Sequence, residues 1–315
     1  VRKFKTLGYD AIKLSSDLSP EIYFAINDEA KKLNIPTIGH LPSETNLEDL
    51  YRSSQSQLAH ISEIAKALER DFTKSSYIYY DNTEAYLNYV RINADSIAKK
   101  LKEKDMVVAS TIWLHESLSK QDLNLPNFLK TIKLEYMNPG WVEGSIISKG
   151  WLPGNSYFEN PNNTSAEDIR LSAIFWENQL ETIYIIAKAM LKNGVTIIAG
   201  TDANGADGVI PGFSLHDEFE SLSRVGFSNA QILQAATVAP AKWMQNKTGK
   251  IEVGYRADLI LLKKNPLEDI KNTRTINTVI INGKVLVRAE LDKILQSVKN
   301  ANNRSRKISI DNFIN

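Results

Sequence analysis

The 315-residue chain contains no cysteine. Without thiols it has no disulfide, no thiolate zinc site and no cysteine nucleophile. Any metal ion must therefore be held by histidine, aspartate, glutamate or lysine side chains. Histidine is scarce too, with 4 residues in the whole sequence. Imidazole ligands of a metal site must come from this small set.

The sequence also lacks a charge excess. Its 38 Lys and Arg residues nearly balance 37 Asp and Glu residues, which gives a net charge of +1. Nucleic-acid-binding proteins and membrane-surface proteins usually carry a basic excess, so we expect neither kind of partner. Apolar runs such as Val195–Gly200 are far too short to span a bilayer, so we expect no membrane span.

The chain begins at Val1 without an initiator Met. We expect that it was processed or that it begins inside a longer protein. A targeting signal would then lie upstream of Val1, so the sequence leaves the compartment open. It leaves homo-oligomer formation open as well.

Short apolar runs alternate with longer amphipathic stretches over the first two-thirds of the chain. The runs have strand length and lack a period of two, which is typical of parallel strands covered on both faces. Such alternation predicts an α/β fold with a parallel sheet. The predicted strands are Tyr9–Leu14, Pro36–His40, Gln57–Ile61, Met106–Ile112 and Val195–Gly200.

Helix-forming stretches separate these runs. They are predicted over Ser19–Leu33, Leu47–Ser54, Glu84–Lys104, Ala166–Asn193, Leu215–Val225 and Ser228–Trp243. Two other stretches, Ser62–Asn82 and Trp113–Ser165, are longer than ordinary connections. We predict them to be loops that act as lids or substrate walls.

The residue pattern changes after residue 248, where Gly and Pro separate short strand-like runs. The predicted strands are Lys250–Val253, Asp258–Leu262, Thr278–Ile281 and Lys284–Val287, the last two joined by an Asn282-Gly283 turn. From Ala289 the chain is polar and basic. We predict a tail there that is helical to about Asn300 and frayed beyond.

Four residues with metal-binding or ionisable side chains lie at or near the carboxyl ends of predicted strands: Lys13, His40, His60 and Asp202. In a parallel barrel these strand ends converge on one face, where active sites lie. Taken singly, each residue has an ordinary interpretation as a hydrogen-bonded histidine, a solvent-reaching lysine or a turn aspartate. Together they predict an oxygen and nitrogen site for zinc or a similar divalent ion.

Three further residues are weaker candidates for contact with substrate. His216 follows the last predicted barrel strand by a short loop, although a structural role at a helix start explains it better. His115 lies just past the fourth predicted strand, where a surface position is the alternative. Tyr136 lies in the second long loop, where aromatic side chains often form the loop's own small core.

Longer motifs carry a family resemblance. Ile12-Lys-Leu14, Ile35-Pro-Thr-Ile-Gly-His-Leu-Pro42 and Leu58-Ala-His-Ile61 look like successive barrel strands of the amidohydrolase superfamily. The most specific part runs from Thr201 to Gly283. It includes Gly200-Thr-Asp-Ala203, Pro211-Gly-Phe-Ser-Leu-His-Asp-Glu218, Ala235-Ala-Thr-Val-Ala-Pro-Ala241, Gly249-Lys-Ile-Glu-Val-Gly-Tyr-Arg-Ala-Asp-Leu-Ile260 and Asn265-Pro-Leu-Glu-Asp-Ile270. The chain most resembles the imidazolonepropionase-like and Xaa-Pro-dipeptidase-like branch.

The resemblance implies a fold and a domain arrangement. Residues 1–247 would form the last five strand–helix units of a TIM-type (β/α)8 barrel. Residues 248–288 would be the C-terminal part of a small β-sandwich domain, and 289–315 a polar tail. The family's first metal site also needs a His-x-His pair at the first barrel strand. The chain has no such pair, and we expect it to lie upstream of Val1 together with the three strands that a full barrel still requires.

The resemblance also implies the chemistry. One or two divalent ions, zinc first among them, would activate water to hydrolyse a carbon–nitrogen bond in a cyclic amide or a dipeptide-like substrate. Lys13 would be carboxylated and bridge two ions, and His40 and His60 would ligate the second ion. Asp202 would ligate the first ion and transfer the proton of the water to the leaving nitrogen.

Two other functions remain alternatives at the level of sequence. One is a catalytically silent barrel that serves as a binding or scaffold protein, which the four retained ligands disfavour. The other is a doubly wound sheet that binds a nucleotide. No Gly-x-Gly-x-x-Gly and no Gly-x4-Gly-Lys-Ser/Thr motif follows any predicted strand, which disfavours this fold.

We predict that this polypeptide is poorly stable and inactive, or nearly so, when it is expressed alone. The expected reason is that the first metal site and three barrel strands are missing from it. The test compares it with a version extended by the upstream coding sequence. The extended version should show a higher midpoint of thermal unfolding and more bound zinc. Equal midpoints and equal metal content would contradict the prediction.

Overall fold

A computed structural model of the protein describes residues 1–75, 82–158, 165–203 and 208–308. These residues form two compact units. Unit 1 comprises Val1–Thr111 with Glu177–Ala199, and unit 2 comprises Ile112–Trp176 with Gly200–Asn315. No helix in the described ranges is both long enough and apolar enough to cross a membrane.

Unit 1 is built on a sheet of five parallel strands in sequential order. The predicted α/β fold with a parallel sheet is confirmed. Each strand is shorter than its predicted apolar run. The strands are β1 Ile12–Leu14, β2 Thr37–Gly39, β3 Gln57–Leu58, β4 Val107–Ala109 and β5 Thr196–Ile198.

The described residues contain twelve α-helices. They are α1 Arg2–Thr6, α2 Pro20–Lys32, α3 Leu47–Arg52, α4 Ser62–Ser75, α5 Thr83–Glu103, α6 Ile112–Leu129, α7 Pro139–Glu143, α8 Ala166–Lys192, α9 Phe213–Val225, α10 Asn229–Ala236, α11 Val238–Trp243 and α12 Arg288–Ser305. Side-chain caps begin several of them. Ser19 accepts a hydrogen bond from Ile22 N at the start of α2, and Asn46 and Asp49 form a capping box at α3.

Register places one row of residues on a single face of the sheet across all five strands. The row is Leu14, Gly39, Leu58, Val108 and Ile197, each paired with the next. The four side chains in it are buried. Burial of each contributes roughly 1.5–3 kcal/mol to folding. This row is a continuous buried layer of the core of unit 1.

Hydrogen bonds between buried polar side chains connect β2 to α2. Thr37 donates a hydrogen bond from its hydroxyl to Asn27 Oδ1 at 2.7 Å. The Tyr23 hydroxyl lies 2.8 Å from Gln55 Oε1, and Gln55 Nε2 donates to the carbonyl of Gly39 at 3.1 Å. Each of these side chains is buried. A buried network with its partners in place fixes the position of β2 more sharply than apolar packing alone.

The predicted lid over Ser62–Asn82 is largely wrong, because its first part forms helix α4. Its apolar residues recur at helical spacing, and Ile64, Ala65, Ala67 and Leu68 are buried. The polar residues between them obscure this helical period in the sequence. Residues 76–81 of the predicted lid lie outside the described ranges.

The predicted loop over Trp113–Ser165 is wrong in its first third, which forms α6. Asn124 breaks this helix with φ −161°, two residues before Pro126. A 3₁₀ turn at Leu134–Tyr136 and α7 follow. Irregular backbone is found in the remaining described part, and residues 159–164 lie outside it.

Three predictions near the C-terminus are corrected. The helix predicted over Ser228–Trp243 is two helices, α10 and α11, because Thr237 between them has φ −131° and ψ −74°. The strand predicted over Lys250–Val253 does not form, and the side chain of Val253 is fully exposed. The tail continues as helix α12 beyond the predicted limit of Asn300.

The other predicted strands of this region form an antiparallel sheet. Its strands are β6 Leu259–Leu262, β7 Ile276–Ile281 and β8 Lys284–Val287, in that order. Asn282 and Gly283 join β7 to β8 with φ of 51° and 75°. Positive φ at both turn residues is what a two-residue hairpin requires, and Asn-Gly supplies it at low cost.

Helix α12 packs on the 3₁₀ turn of unit 2. Asn302 donates from its side-chain amide to the carbonyls of Glu135 and Met137, at 3.0 and 2.9 Å. The ammonium of Lys299 lies 4.8 Å from the centre of the Tyr136 ring. These contacts explain why the polar C-terminal segment is ordered as a helix.

We predict that Gly39→Ala destabilises the protein by roughly 3 kcal/mol. Gly39 has φ 112°, and an added Cβ would lie 2.6 Å from the carbonyl oxygen of Leu14. Urea denaturation measures the change in the free energy of unfolding. Gly194→Ala is the matched control. Gly194 has φ 66° with nothing within 4 Å of its Cβ position, so its cost should be about 1 kcal/mol. Equal losses would refute the backbone clash.

Candidate active site

His40 and His60 lie side by side at the carboxyl ends of β2 and β3. The strands end at Gly39 and Leu58, which are register partners, so the residues that follow leave the sheet together. The ring centroids of the two histidines are 5.0 Å apart and the rings are tilted by 42°. The side chain of His40 is 24% exposed, whereas His60 is buried. The predicted strand-end histidines are therefore neighbours.

Thr111 contacts His60. Its hydroxyl oxygen lies 2.8 Å from His60 Nδ1, and both residues are buried. Thr111 has φ 44°, which is an unfavourable backbone conformation for a β-branched residue. Strain of this kind persists where surrounding structure holds it, often at functional sites. No sequence pattern pointed to Thr111, because backbone strain leaves no signature in composition or spacing.

Glu63 is a buried carboxylate beside His40. Its Oε1 lies 3.4 Å from His40 Nδ1 and accepts a hydrogen bond from Lys66 Nζ at 2.9 Å. Its Oε2 accepts one from the backbone N–H of Leu41 at 3.1 Å. Burial raises the pKa of Glu63, but contacts with His40 and Lys66 outweigh burial and hold that pKa at about 2.

Glu63 was not among the predicted site residues, although the sequence carries a signal for it. It follows His60 by three residues, at the beginning of a helix. Because the stretch was interpreted as a loop, nothing fixed the direction of its side chain. A helical interpretation would have placed this carboxylate in the first turn of α4, directly after a strand end.

Lys13 lies on β1, at one edge of the sheet, and its side chain is exposed. It pairs with Ile38, and His40 is two residues further along the same chain. Residues that pair across neighbouring parallel strands point to one face, so Lys13 shares a face of the sheet with Ile38.

Asp202 belongs to unit 2. It follows β5 by a short loop and adopts φ 51°, a left-handed conformation that aspartate tolerates better than most residues. Its side chain is half-buried. The neighbouring Ala203 packs against a cluster of Trp113, Leu114, Phe128 and Val209.

The weaker candidates have defined contacts within unit 2. His216 Nδ1 lies 2.8 Å from the hydroxyl of Thr273, in the segment that precedes β7. The Tyr136 ring stacks on Phe213 with centroids 4.8 Å apart and an angle of 18°. His115 is half-buried on α6. The contact of His216 agrees with the structural alternative given for it above.

No three His, Asp or Glu side chains of the described ranges are grouped so that they hold a metal ion by themselves. The His40–His60 pair nevertheless fits two ligands of a zinc site. The two imidazole rings are adjacent, with centroids 5.0 Å apart, and imidazole nitrogen is a common ligand of zinc.

Comparison with known proteins identifies the family. The model of the amidohydrolase family matches residues 15–286. The chain belongs to the amidohydrolase family. The family as a whole is generally metal-dependent, and the matched span contains both histidines, Glu63 and Asp202.

Individual relatives are distant. A 5′-deoxyadenosine deaminase of Methanosarcina barkeri is 31% identical over an alignment of 116 residues, which covers 31% of this chain and 27% of the deaminase. A bottromycin amidohydrolase has a TM-score of 0.62 and 18% identity, over 95% of this chain and 60% of that one. A Xaa-Pro dipeptidase with methionine in its active site has a TM-score of 0.56 and 19% identity, over 91% and 56%. This chain thus spans little more than half the length of these structures.

We predict that His216 makes the stability of the protein depend on pH. Burial, with a smaller contribution from Arg274, lowers the pKa of His216 from 6.5 to about 4. Between these values the unfolded chain binds the extra proton and the folded protein does not, so stability is complete above pH 6.5 and falls towards pH 4. Urea denaturation of the wild type and of His216→Gln at several pH values measures this. The free energy of unfolding should depend less steeply on pH in the variant than in the wild type. An equal dependence in both proteins would rule out His216 as its source.

Proposed function

We propose that the protein is a metal-dependent amidohydrolase that hydrolyses a carbon–nitrogen bond. The observation that carries the proposal is the adjacent pair of imidazoles at the ends of β2 and β3, in a chain of this family. Active sites of parallel barrels lie at these strand ends. We further propose that the five parallel strands are part of a TIM-type barrel and that β6–β8 belong to a small β-sandwich.

His40 and His60 hold a divalent ion through imidazole nitrogens, and zinc suits this ligand type. Carboxylated Lys13 and Asp202 are the proposed further ligands from this chain. Carboxylation would suit Lys13 as a ligand, because it would exchange the cation of its side chain for an anion. When bound, the ion lowers the pKa of water towards neutrality and polarises the substrate carbonyl.

Asp202 acts as the general acid and base. As a carboxylate it accepts the proton of the attacking water, and it then donates this proton to the leaving nitrogen. The proton is necessary because an amide nitrogen leaves only as a neutral amine. Glu63 and Thr111 take no direct part in this proton transfer. Glu63 contacts His40, and Thr111 contacts His60.

Two substrate classes are candidates. The structural likeness to a Xaa-Pro dipeptidase favours a dipeptide-like or cyclic amide, whose hydrolysis releases an amine. The partial identity with a 5′-deoxyadenosine deaminase favours an aromatic amine, whose hydrolysis releases ammonia. Both reactions add water across a carbon–nitrogen bond. A catalytically silent scaffold is disfavoured, because a scaffold has no need for two adjacent imidazoles, one half-buried and the other buried.

We predict that His40→Asn and His60→Asn each abolish stoichiometric zinc binding and lower the rate of hydrolysis by more than about 100-fold. Each substitution removes the imidazole ligand and keeps a smaller polar side chain. Metal analysis after dialysis against zinc gives the stoichiometry of the complete gene product. Product analysis with Xaa-Pro dipeptides, cyclic amides and aminopurine nucleosides gives the activity.

His216→Asn and His115→Asn are the matched controls. They remove the other two histidines of the chain, and neither is a proposed ligand. Both controls should retain wild-type zinc content. Zinc that persists in His40→Asn and His60→Asn, or zinc lost equally from all four variants, would refute the proposed site. Release of free proline or of ammonia separates the two substrate classes.

A further inference from the structure

We propose that Glu63 is a positioning residue that holds the His40 imidazole with Nδ1 protonated and facing its carboxylate. Nε2 of His40 then carries the lone pair that binds the ion. The purpose of this arrangement rests on the proposed metal site. Its geometry belongs to unit 1 alone, so the inference is testable without a metal.

The carboxylate of Glu63 is held from both sides. Oε2 accepts the backbone N–H of Leu41, the residue that follows His40, at 3.1 Å. Oε1 accepts from Lys66 one turn along α4 and faces His40 Nδ1 at 3.4 Å. Glu63 is 2% exposed, so water competes little for these oxygens. The carboxylate is thus anchored to the same strand end whose imidazole it faces.

The chemistry of the pair fixes the direction of the proton. An ionised carboxylate only accepts hydrogen bonds, so Nδ1 must be the donor in this contact. In neutral imidazole one nitrogen carries the proton and the other carries the lone pair. A distance of 3.4 Å is longer than a hydrogen bond, and His40 Nδ1 has no hydrogen-bond partner in this geometry. Catalytic contacts are often long without ligand and shorten when the site is complete.

His60 shows why a carboxylate is needed for His40. Its Nδ1 faces the hydroxyl of Thr111, which either donates or accepts a hydrogen bond. A hydroxyl therefore orients a ring without choosing its tautomer. Metal-binding histidines commonly donate their other N–H to a carboxylate, and loss of such a partner typically costs 10–100-fold in metal affinity. Glu63 is placed to act in this way on His40.

Nitrogen-15 NMR of the histidine rings tests the proposal directly. The chain has four histidines, so His→Gln variants assign every ring. Long-range proton–nitrogen correlation at one pH near neutrality, with no metal, reports which nitrogen of each ring is protonated. Wild-type His40 should show protonated Nδ1. In Glu63→Ala it should revert to the tautomer mixture of a free imidazole.

Thr111→Val is the matched control, because it removes the side-chain contact of His60 and leaves Glu63 in place. It should leave the His40 tautomer unchanged. Glu63→Gln keeps the size of the side chain and an accepting oxygen, so it should fold and shift the tautomer only partly. Circular dichroism checks that each variant is folded.

A zinc titration against a chromogenic chelator, with the complete gene product, gives the second readout. Glu63→Gln should bind zinc about 10–100-fold more weakly than the wild type. A His40 ring with protonated Nε2 in the wild type, or one unaffected by Glu63→Ala, would overturn the positioning role. Protonated Nδ1 in a protein that binds no zinc would instead uphold that role and contradict the proposed function.

Discussion

The parallel pairing of β2 with β3 is the constraint on which the candidate site depends. Gly39 and Leu58 are register partners and are the last residues of their strands. Both chains therefore leave the sheet at the same level, which brings His40 and His60 within 5.0 Å between ring centres. A shift of register by one residue would reverse the face of every side chain on the strand and separate the two rings. The buried row that includes Leu14 and Leu58 opposes such a shift, because it would expose the core layer.

Sequence patterns predicted the parts of this fold that have strong local causes. Each of the five strands lies within its predicted run, since apolar β-type runs between helices form parallel sheets. The start of α2 after Ser19 and the Asn282-Gly283 turn followed from their residue types. The ends of β2 to β5 were predicted too late, because hydrogen bonding to neighbours, and not composition, decides where a strand stops. Two residues such as Gln57 and Leu58 form a strand only because β2 and β4 lie on either side.

The parts that sequence analysis missed are set by tertiary contacts. A polar surface hid the helical period of α4, and with it the position of Glu63. The end of the C-terminal helix beyond Asn300 was predicted to be frayed because its polar side chains, such as Asn302, are satisfied by distant backbone carbonyls that no local pattern reveals. Of the predicted ligands, the two histidines could be paired from strand spacing alone. The residues that orient them could not, since Thr111 lies 51 positions from His60.

The backbone strain at Thr111 is evidence about the role of the candidate site. A β-branched residue with positive φ costs about 1–3 kcal/mol, and glycine or asparagine would avoid most of it. Neither would place a hydroxyl 2.8 Å from His60 Nδ1. The buried carboxylate beside His40 also carries a desolvation cost, since a charge removed from water must be compensated by its contacts. Contacts with His40 and Lys66 outweigh this cost, because they hold the pKa of Glu63 below its usual value. Each of the two adjacent imidazoles thus has a polar partner of its own, and a requirement to orient the two rings explains why both partners are present.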